Sequence, residues 1–257
     1  MNYNEYLKKY KINKIIVLSS QILIFIIFML LWEVLSNNNI INTFIFSSPK
    51  KIIKTLINLY NENNLFIHIF TTIKEVILSF TITSILSFII SIILYRFKMI
   101  SRILDPYLTM LNSLPKVALG PIIIIWFGSN IKSIIAMSVL ISIIVSIQTI
   151  YNGFENTDKL KIKLLKTFNA SKKDILFSLV IPSNKSTIIN SLKINISMCL
   201  IGTITGEFLT SKKGIGYLIL YGSQVFNLNL VMSGIFLLII ISLILYKLVI
   251  IITKKLL

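Results

Sequence analysis

The stretch IIVLSSQILIFIIFMLLWEVL, residues 15–35, has a single charged side chain, Glu33. An α-helix rises about 1.5 Å per residue, so about 20 apolar residues cross a hydrocarbon core about 30 Å thick. Only 14% of the 257 residues are charged and 55% are hydrophobic, whereas soluble domains average about 25% charged residues. The composition therefore predicts a membrane protein.

Further apolar runs have the length of a membrane crossing. Lipid offers the backbone no hydrogen-bond partner, and the alternating pattern of a membrane barrel is absent, so each run is predicted to be helical. The first run is too long for the core of a secretory signal and is expected to be retained. The predicted spans are residues 15–35, 73–95, 104–127, 132–151, 187–209 and 230–252. The fold is predicted to be all-α and polytopic, with a tail at 1–14 and one transmembrane domain at 15–257.

The positions of Lys and Arg predict the orientation of the chain. With the N-terminus inside, the inner segments hold sixteen basic residues and the outer segments hold six, so both termini are predicted to be cytoplasmic. The net charge of +17 is spread over short segments that flank the membrane. Topology and anionic lipid headgroups account for this charge, and nucleic-acid binding is not expected.

A long inner loop, residues 152–186, separates the fourth and fifth spans. Leu160, Leu164 and Phe168 recur at i, i+4 and i+8, with Leu165 beside them and lysines on the other side, as in a short amphipathic helix. The apolar ridge of Leu164, Leu165 and Phe168 has two interpretations. It docks in a groove of a partner protein, or it packs under its own bundle or in the lipid interface.

Asn169 ends this pattern, and asparagine readily accepts the left-handed conformation of a sharp helix end. The spacing from Ser171 to Asp174 is that of a capping box, which predicts a second helix that stops before Pro182. The loop is therefore predicted to be helix, turn, helix.

The loop KLLKTFNASKKDILFSLVIP, residues 163–182, resembles the signature loop of binding-protein-dependent ABC transporter permeases. In that loop, Glu-Ala-Ala, three residues, Gly and nine residues precede an apolar ending with Pro. Here Lys163 stands at the family's acid and Asn169 at its glycine. The first change reverses a charge, and the second preserves the turn.

Three other stretches resemble the branch of this family that imports nitrate, sulfonates, taurine, bicarbonate and thiamine precursors. They are FSSPKKII (46–53), NSLPKVALGPIIIIWFG (112–128) and GEFLTSKKGIGYLI (206–219). The resemblance implies a permease subunit in a bacterial inner membrane, which forms the pathway of an importer for a small solute. Its implied partners are a second, identical permease, two copies of an ATPase that binds ATP and Mg²⁺, and an external binding protein or lipoprotein.

The resemblance also implies which residues couple to the ATPase. They are Leu164, Leu165, Phe168, Asn169, Ala170 and Ser171.

Four residues are candidates for the translocation pathway or gate. Pro115 and Pro121 each remove a backbone hydrogen bond within one apolar run, either to shape a cavity or only to pack the helix. Lys116 lies between them and either faces the pathway, snorkels or pairs with another group. Glu207 either gates the pathway or, as a residue near a helix end, anchors the loop at Gly214–Tyr217.

Motifs for catalysis are absent from the sequence. No nucleotide-binding loop or catalytic triad occurs, and Cys199 and His68 are each the only residue of their type. Cys199 is expected to be a core residue, no cofactor or metal is expected in this chain, and the nine acidic residues are expected to be scattered. One alternative to an ABC permease is a secondary transporter driven by an ion gradient, which should show broken helices in both halves. Another is a membrane-embedded enzyme or assembly factor, which should show clustered His or acidic residues inside the bundle.

Overall fold

The computed structural model describes residues 3–62 and 64–254, and no strand occurs among them. Five of the described helices are long and apolar enough to cross a membrane. These helices are α1 (Tyr3–Asn37), α4 (Leu65–Arg96), α7 (Ile131–Glu155), α11 (Lys185–Thr210) and α13 (Leu228–Lys254). The all-α membrane class predicted from the sequence is confirmed.

Shorter helices connect the long ones. They are α2 (Thr43–Phe46), α3 (Pro49–Asn61), α5 (Lys98–Ser113), a 3₁₀ helix (Lys116–Leu119), α6 (Gly120–Phe127), α8 (Lys159–Thr167), α9 (Lys172–Ile175), a π-helical turn (Leu176–Val180), α10 (Ile181–Ser183) and α12 (Ile215–Gln224). We call the end of the bundle with residues 156–184 the loop face. The end with residues 38–62 and 211–227 is the pocket face.

The long helices extend beyond the predicted spans. The second predicted span, 73–95, begins at Leu65, so His68 lies inside a helix. At the N-terminus, α1 is one helix from Tyr3, and the apolar part begins at Ile12, so most of the predicted tail at 1–14 is helical. The first two residues of that tail and residues 255–257 lie outside the described residues, as do the side chains of Lys8 and Lys11.

The third predicted span, 104–127, is not one straight crossing. The helical segments Lys98–Ser113 and Lys116–Phe127 meet at a bend of 91°. Leu114, before Pro115, is extended, and a proline ring disfavours the helical conformation at the preceding residue. Pro121 causes no break, since it lies in the first turn of α6, where an N–H has no helical partner. The expectation that Pro121, like Pro115, removes a backbone hydrogen bond within a continuous helix is therefore wrong.

The core of the bundle is formed by α4, α7 and α11. Their contact surface is rich in small polar side chains, which allow helices to approach closely in a membrane. The Ser138 hydroxyl donates to the carbonyl of Cys199 at 2.8 Å, and the hydroxyls of Thr83 and Ser142 are 3.0 Å apart. Cys199 is fully buried, as expected of a core residue.

The backbones of α7 and α11 approach each other most closely at two glycines. A Cβ atom at Gly202 would lie 2.5 Å from the Cα atom of Ser138, and one at Gly206 would lie 2.9 Å from the Cα atom of Ile134. Both obstacles are backbone atoms, which cannot move without displacing a helix. In contrast, no residue in the most apolar part of α1 is buried. This helix therefore presents its surface to lipid or to another chain.

We predict that Gly202→Ala destabilises the bundle by about 1–3 kcal/mol, because the added methyl group forces α7 and α11 apart. Thermal unfolding of the purified chain in detergent measures this effect. Ile201→Val, on the exposed side of the same helix, is the control and should leave the melting temperature nearly unchanged. Equal stability of Gly202→Ala and the natural chain would contradict the close approach.

Candidate coupling segment and membrane site

The loop between α7 and α11 begins with the amphipathic helix α8. The Asp158 carboxylate caps α8 by accepting from the Leu160 N–H at 2.8 Å. Leu160, Leu164 and Phe168 lie one helical turn apart and are exposed by 74, 56 and 74%. We call these three side chains the exposed ridge.

Leu165 is not part of this ridge, contrary to the sequence analysis. It is half-buried and, together with Ile162 and Ala170, packs against a buried cluster that includes Phe154 and Ile175. The helix therefore has two apolar sides. The inner side attaches α8 to the bundle, and the exposed ridge faces away from it.

A sharp turn follows the exposed ridge at Asn169, which has a φ of 58°. The Ala170 N–H donates to Leu165 O at 3.1 Å and the Asn169 N–H donates to Lys166 O at 3.0 Å. This pair of bonds is the Schellman motif, which satisfies carbonyl groups at a helix end. The predicted left-handed conformation of Asn169 is confirmed.

The predicted capping box is also present. The Ser171 hydroxyl accepts from the Asp174 N–H at 3.2 Å, and the Asp174 carboxylate accepts from the Ser171 N–H at 2.9 Å. These hydrogen bonds hold the pKa of the exposed Asp174 carboxyl below its ordinary value. Ser171 therefore starts the second helix of the loop.

This second helix does not stop before Pro182, as the sequence analysis expected. In the π-helical turn, the Ile181 N–H donates to Leu176 O, five residues back. The wider turn places Pro182 in the first turn of α10, where a missing N–H breaks no helical bond. The loop between α7 and α11, which we call the coupling loop, therefore continues as helix up to Asn184. The Asn184 side chain donates to Thr157 Oγ1 at 2.8 Å.

The bend in the third span places a lysine beside the middle of α7. The Lys116 ammonium donates to Ile141 O at 3.2 Å and to Asn112 Oδ1 at 3.3 Å. Ile141 lies near the midpoint of α7, and Lys116 is half-buried, while Pro115 and Pro121 are exposed. The bend therefore positions a cation at mid-depth on the surface of the protomer.

Glu207 is fully buried and serves as an anchor for the N-terminus of α12. Its carboxylate accepts from the Gly216 N–H at 2.5 Å and from the Thr72 hydroxyl at 2.6 Å. A Cβ atom at Gly214 would lie 2.4 Å from the Glu207 carboxyl carbon, so the glycine makes room for this contact. Of the two interpretations of Glu207, the contacts match the anchor, and a gating role stays a prediction.

Two more residues join this site, and the sequence analysis missed both. The Glu75 carboxyl lies in hydrogen-bonding contact with Glu207, so the expectation of scattered acids is wrong here. His68 accepts from the Gly214 N–H at 3.0 Å through Nδ1, and its ring stacks on Tyr217 at 5.9 Å. The sequence could have revealed both residues, because the spacing of His68, Thr72 and Glu75 places them on one side of a helix.

A cavity of about 870 Å³ opens on the pocket face beside this anchor. Lys51, Lys54, Lys212 and Lys213 contribute four positive charges to its lining, and Glu62 contributes one negative charge. His68, Tyr217 and several Asn side chains complete the wall. The cavity therefore attracts negatively charged groups.

With this geometry in place, comparisons with known proteins identify the family. A family model described as a binding-protein-dependent transport system inner membrane component matches residues 84–257, which include the bent span, the coupling loop and Glu207. The chain belongs to this family. It is a transmembrane permease subunit of an ABC importer, integral to the inner membrane.

Individual relatives agree with the family. The permease is 29% identical over 220 residues to a probable ABC transporter permease protein of Haemophilus influenzae, with 86% of this chain and 89% of the relative covered. It is 28% identical to a formylaminopyrimidine transport permease protein of Halalkalibacterium halodurans (76% and 77% covered). It is 24% identical to a putative aliphatic sulfonates transport permease protein of Bacillus subtilis (80% and 74% covered). The predicted branch of the family is confirmed, and the alternative of a secondary transporter is not supported.

The turn after the exposed ridge gives a prediction for this permease. Asn169→Gly should retain ATP-driven uptake, because glycine adopts a positive φ without strain, whereas Asn169→Val should reduce uptake about fivefold or more. Uptake into cells with the cognate ATPase and binding protein measures both variants, at membrane levels checked by immunoblot. Equal uptake by the two variants would remove the turn from the mechanism.

Proposed function

We propose that this permease forms the pathway for a small polar organic solute, of the kind that sulfonate, taurine and thiamine-precursor permeases carry. The relatives named for formylaminopyrimidine and aliphatic sulfonates support this substrate class. The chain itself is non-catalytic, and ATP with Mg²⁺ is bound by a separate ATPase. An ion-gradient transporter would function alone, whereas this permease requires that ATPase.

The exposed ridge is the contact with the ATPase. Leu160, Leu164 and Phe168 present apolar surface on a helix that is fixed to the bundle from behind, and such ridges dock in grooves. Leu165 and Ala170 support the ridge from within, Asn169 turns the chain, and Ser171 starts the next helix. This division gives separate roles to the six residues that were predicted to couple to the ATPase.

The orientation follows from the basic residues. The loop face carries most of the lysines and arginines of the short connections, so we place it in the cytoplasm together with both termini. The pocket face then faces the external binding protein or lipoprotein. Two identical permeases and two ATPases complete the importer, and the exposed surfaces of α1 and α5 are available to the second permease or to lipid.

Lys116 is the pathway residue that we favour. Its ammonium lies at mid-depth, at the bend between α5 and α6, and is only half-buried within one protomer. Pro115 and Pro121 shape the chain on either side of it. Glu207 is enclosed by α4, α11 and α12, so we assign it to the frame of the pathway and not to its lining.

We predict that Phe168→Asp abolishes ATP-driven uptake while the permease still inserts in the membrane. The aspartate removes an apolar contact that contributes about 2 kcal/mol or more to the free energy of binding. Its loss weakens ATPase binding at least about thirtyfold. Co-purification of the ATPase with the tagged permease measures the loss directly.

Phe177→Asp is the matched control for this experiment. Phe177 is also exposed and lies in the same loop, but it is outside the ridge, so its ATPase association should persist. Undiminished co-purification with Phe168→Asp, or an equal loss with Phe177→Asp, would contradict the assignment of the ridge.

Replacement of Lys116 tests the pathway. We predict that Lys116→Met lowers uptake of a negatively charged substrate about tenfold, since one charge-assisted hydrogen bond contributes roughly 1.5 kcal/mol. Lys116→Arg should restore most of the uptake, because it keeps the charge. The ratio of uptake to ATP hydrolysis in proteoliposomes is the measurement, and an unchanged ratio for Lys116→Met would exclude the role.

A further inference from the structure

Glu75 on α4 and Glu207 on α11 form a pair of carboxyl groups inside the bundle. Their side chains are 2 and 0% exposed. Glu75 lies one helical turn from Thr72 on the buried side of α4, and the Thr72 hydroxyl donates to Glu207 Oε1 at 2.6 Å, so the two carboxyl groups are neighbours. The Oε2 atom of Glu75 is buried and has no hydrogen-bond partner among the described residues. Two ionised carboxylates in such contact repel each other strongly, because little solvent screens them.

Within the described part of the chain, no Lys, Arg or His side chain forms an ion pair with either carboxyl group. Lys74, the neighbour of Glu75, points to the exposed side of α4. The His68 Nδ1 atom lies 3.0 Å from Gly214 N and 3.1 Å from Gly214 O, so it is directed at the backbone of Gly214, and Lys213 and Tyr217 line the cavity. On the side of α7, the residue beside Gly206 is Ile134, which carries no charge. The one ion pair among the described residues, Lys98–Glu155, lies at the loop face.

The surroundings of the two carboxyl groups differ. Glu207 accepts hydrogen bonds from Thr72 and Gly216 at the N-terminus of α12, where the helix dipole favours a negative charge. Glu75 has no such donors. The surroundings therefore favour an ionised Glu207 and a neutral Glu75.

We propose that Glu75 and Glu207 form a shared-proton site, in which protonated Glu75 donates a hydrogen bond to ionised Glu207. This inference concerns the permease alone and does not depend on its substrate or ATPase.

The shared proton stabilises a set of hydrogen bonds on the pocket face, which we call the latch. Thr72 donates to Glu207 and at the same time accepts from the Ile215 N–H at 2.9 Å, and His68 holds Gly214. The latch thereby joins α4, α11 and the start of α12. Loss of the proton leaves two negative charges in contact, which separates α4 from α11 and releases the wall of the basic cavity.

The direction of the pH dependence follows from proton counting. Glutamate in an unfolded chain loses its proton near pH 4.3, so above about pH 5 the unfolded chain has both carboxylates ionised. The folded permease keeps one proton on the pair, and unfolding releases it. Stability therefore falls as the pH rises, by up to about tenfold in the unfolding equilibrium per pH unit.

The test is the unfolding of the full chain in lipid nanodiscs between about pH 5.5 and 8.5. The natural chain should lose stability with rising pH. Glu75→Gln, whose amide donates without a titratable proton, should remove most of that pH dependence. Glu62→Gln, an exposed carboxyl on the same face, should not change it. A pH dependence that survives in Glu75→Gln would overturn the proposal.

Infrared spectroscopy of ¹³C-glutamate-labelled permease gives a second test that requires no variant to fold. At neutral pH the natural chain should show one carbonyl band of a buried protonated carboxyl, independent of Na⁺, K⁺ and Mg²⁺. Absence of the band would overturn the proposal. A band that appears only when cations are removed would also overturn it, since the pair would then be a cation site.

Discussion

The structure of this permease depends on the contact between α7 and α11. Gly202 and Gly206 let the two backbones approach so closely that Ser138 can bond to the carbonyl of Cys199. The hydrophobic effect contributes little to helix association in lipid, so close packing and interhelical hydrogen bonds hold the helices together. With α4 added through Thr83 and Ser142, these helices form a frame to which the coupling loop and the basic cavity are attached.

The loop between α7 and α11 is fixed to the bundle at three places. Leu165 attaches α8 to the buried cluster, the Schellman turn at Asn169 sets the angle to the second helix, and Asn184 ties that helix back to Thr157. None of these contacts uses the exposed ridge. The exposed ridge therefore lies on a segment that is fixed to the bundle and continues into α11.

Sequence patterns predicted much of this arrangement, and the misses have physical causes. Length and hydropathy found the long helices, and local rules found the turn at Asn169 and the cap at Ser171, because each depends on neighbouring residues. The inward side of Leu165 could not be predicted, since i+4 spacing does not say which ridge meets the bundle. The contact of Glu75 with Glu207 joins residues 132 positions apart in the chain, and only packing of α4 on α11 brings them together.

The frame and the bent span have different freedoms, which suits a transporter. The helix α11 connects the two faces, since its 26 residues extend roughly 39 Å from the loop face to Glu207 and α12. Because α7 is interlocked with α11 at Gly202, the two helices move together. The bent segment of α5 and α6 is joined to this frame by fewer contacts, among them the bond from Lys116 to Ile141. A stroke on the coupling loop is therefore expected to shift the frame past Lys116, at the depth where a pathway changes its accessible side.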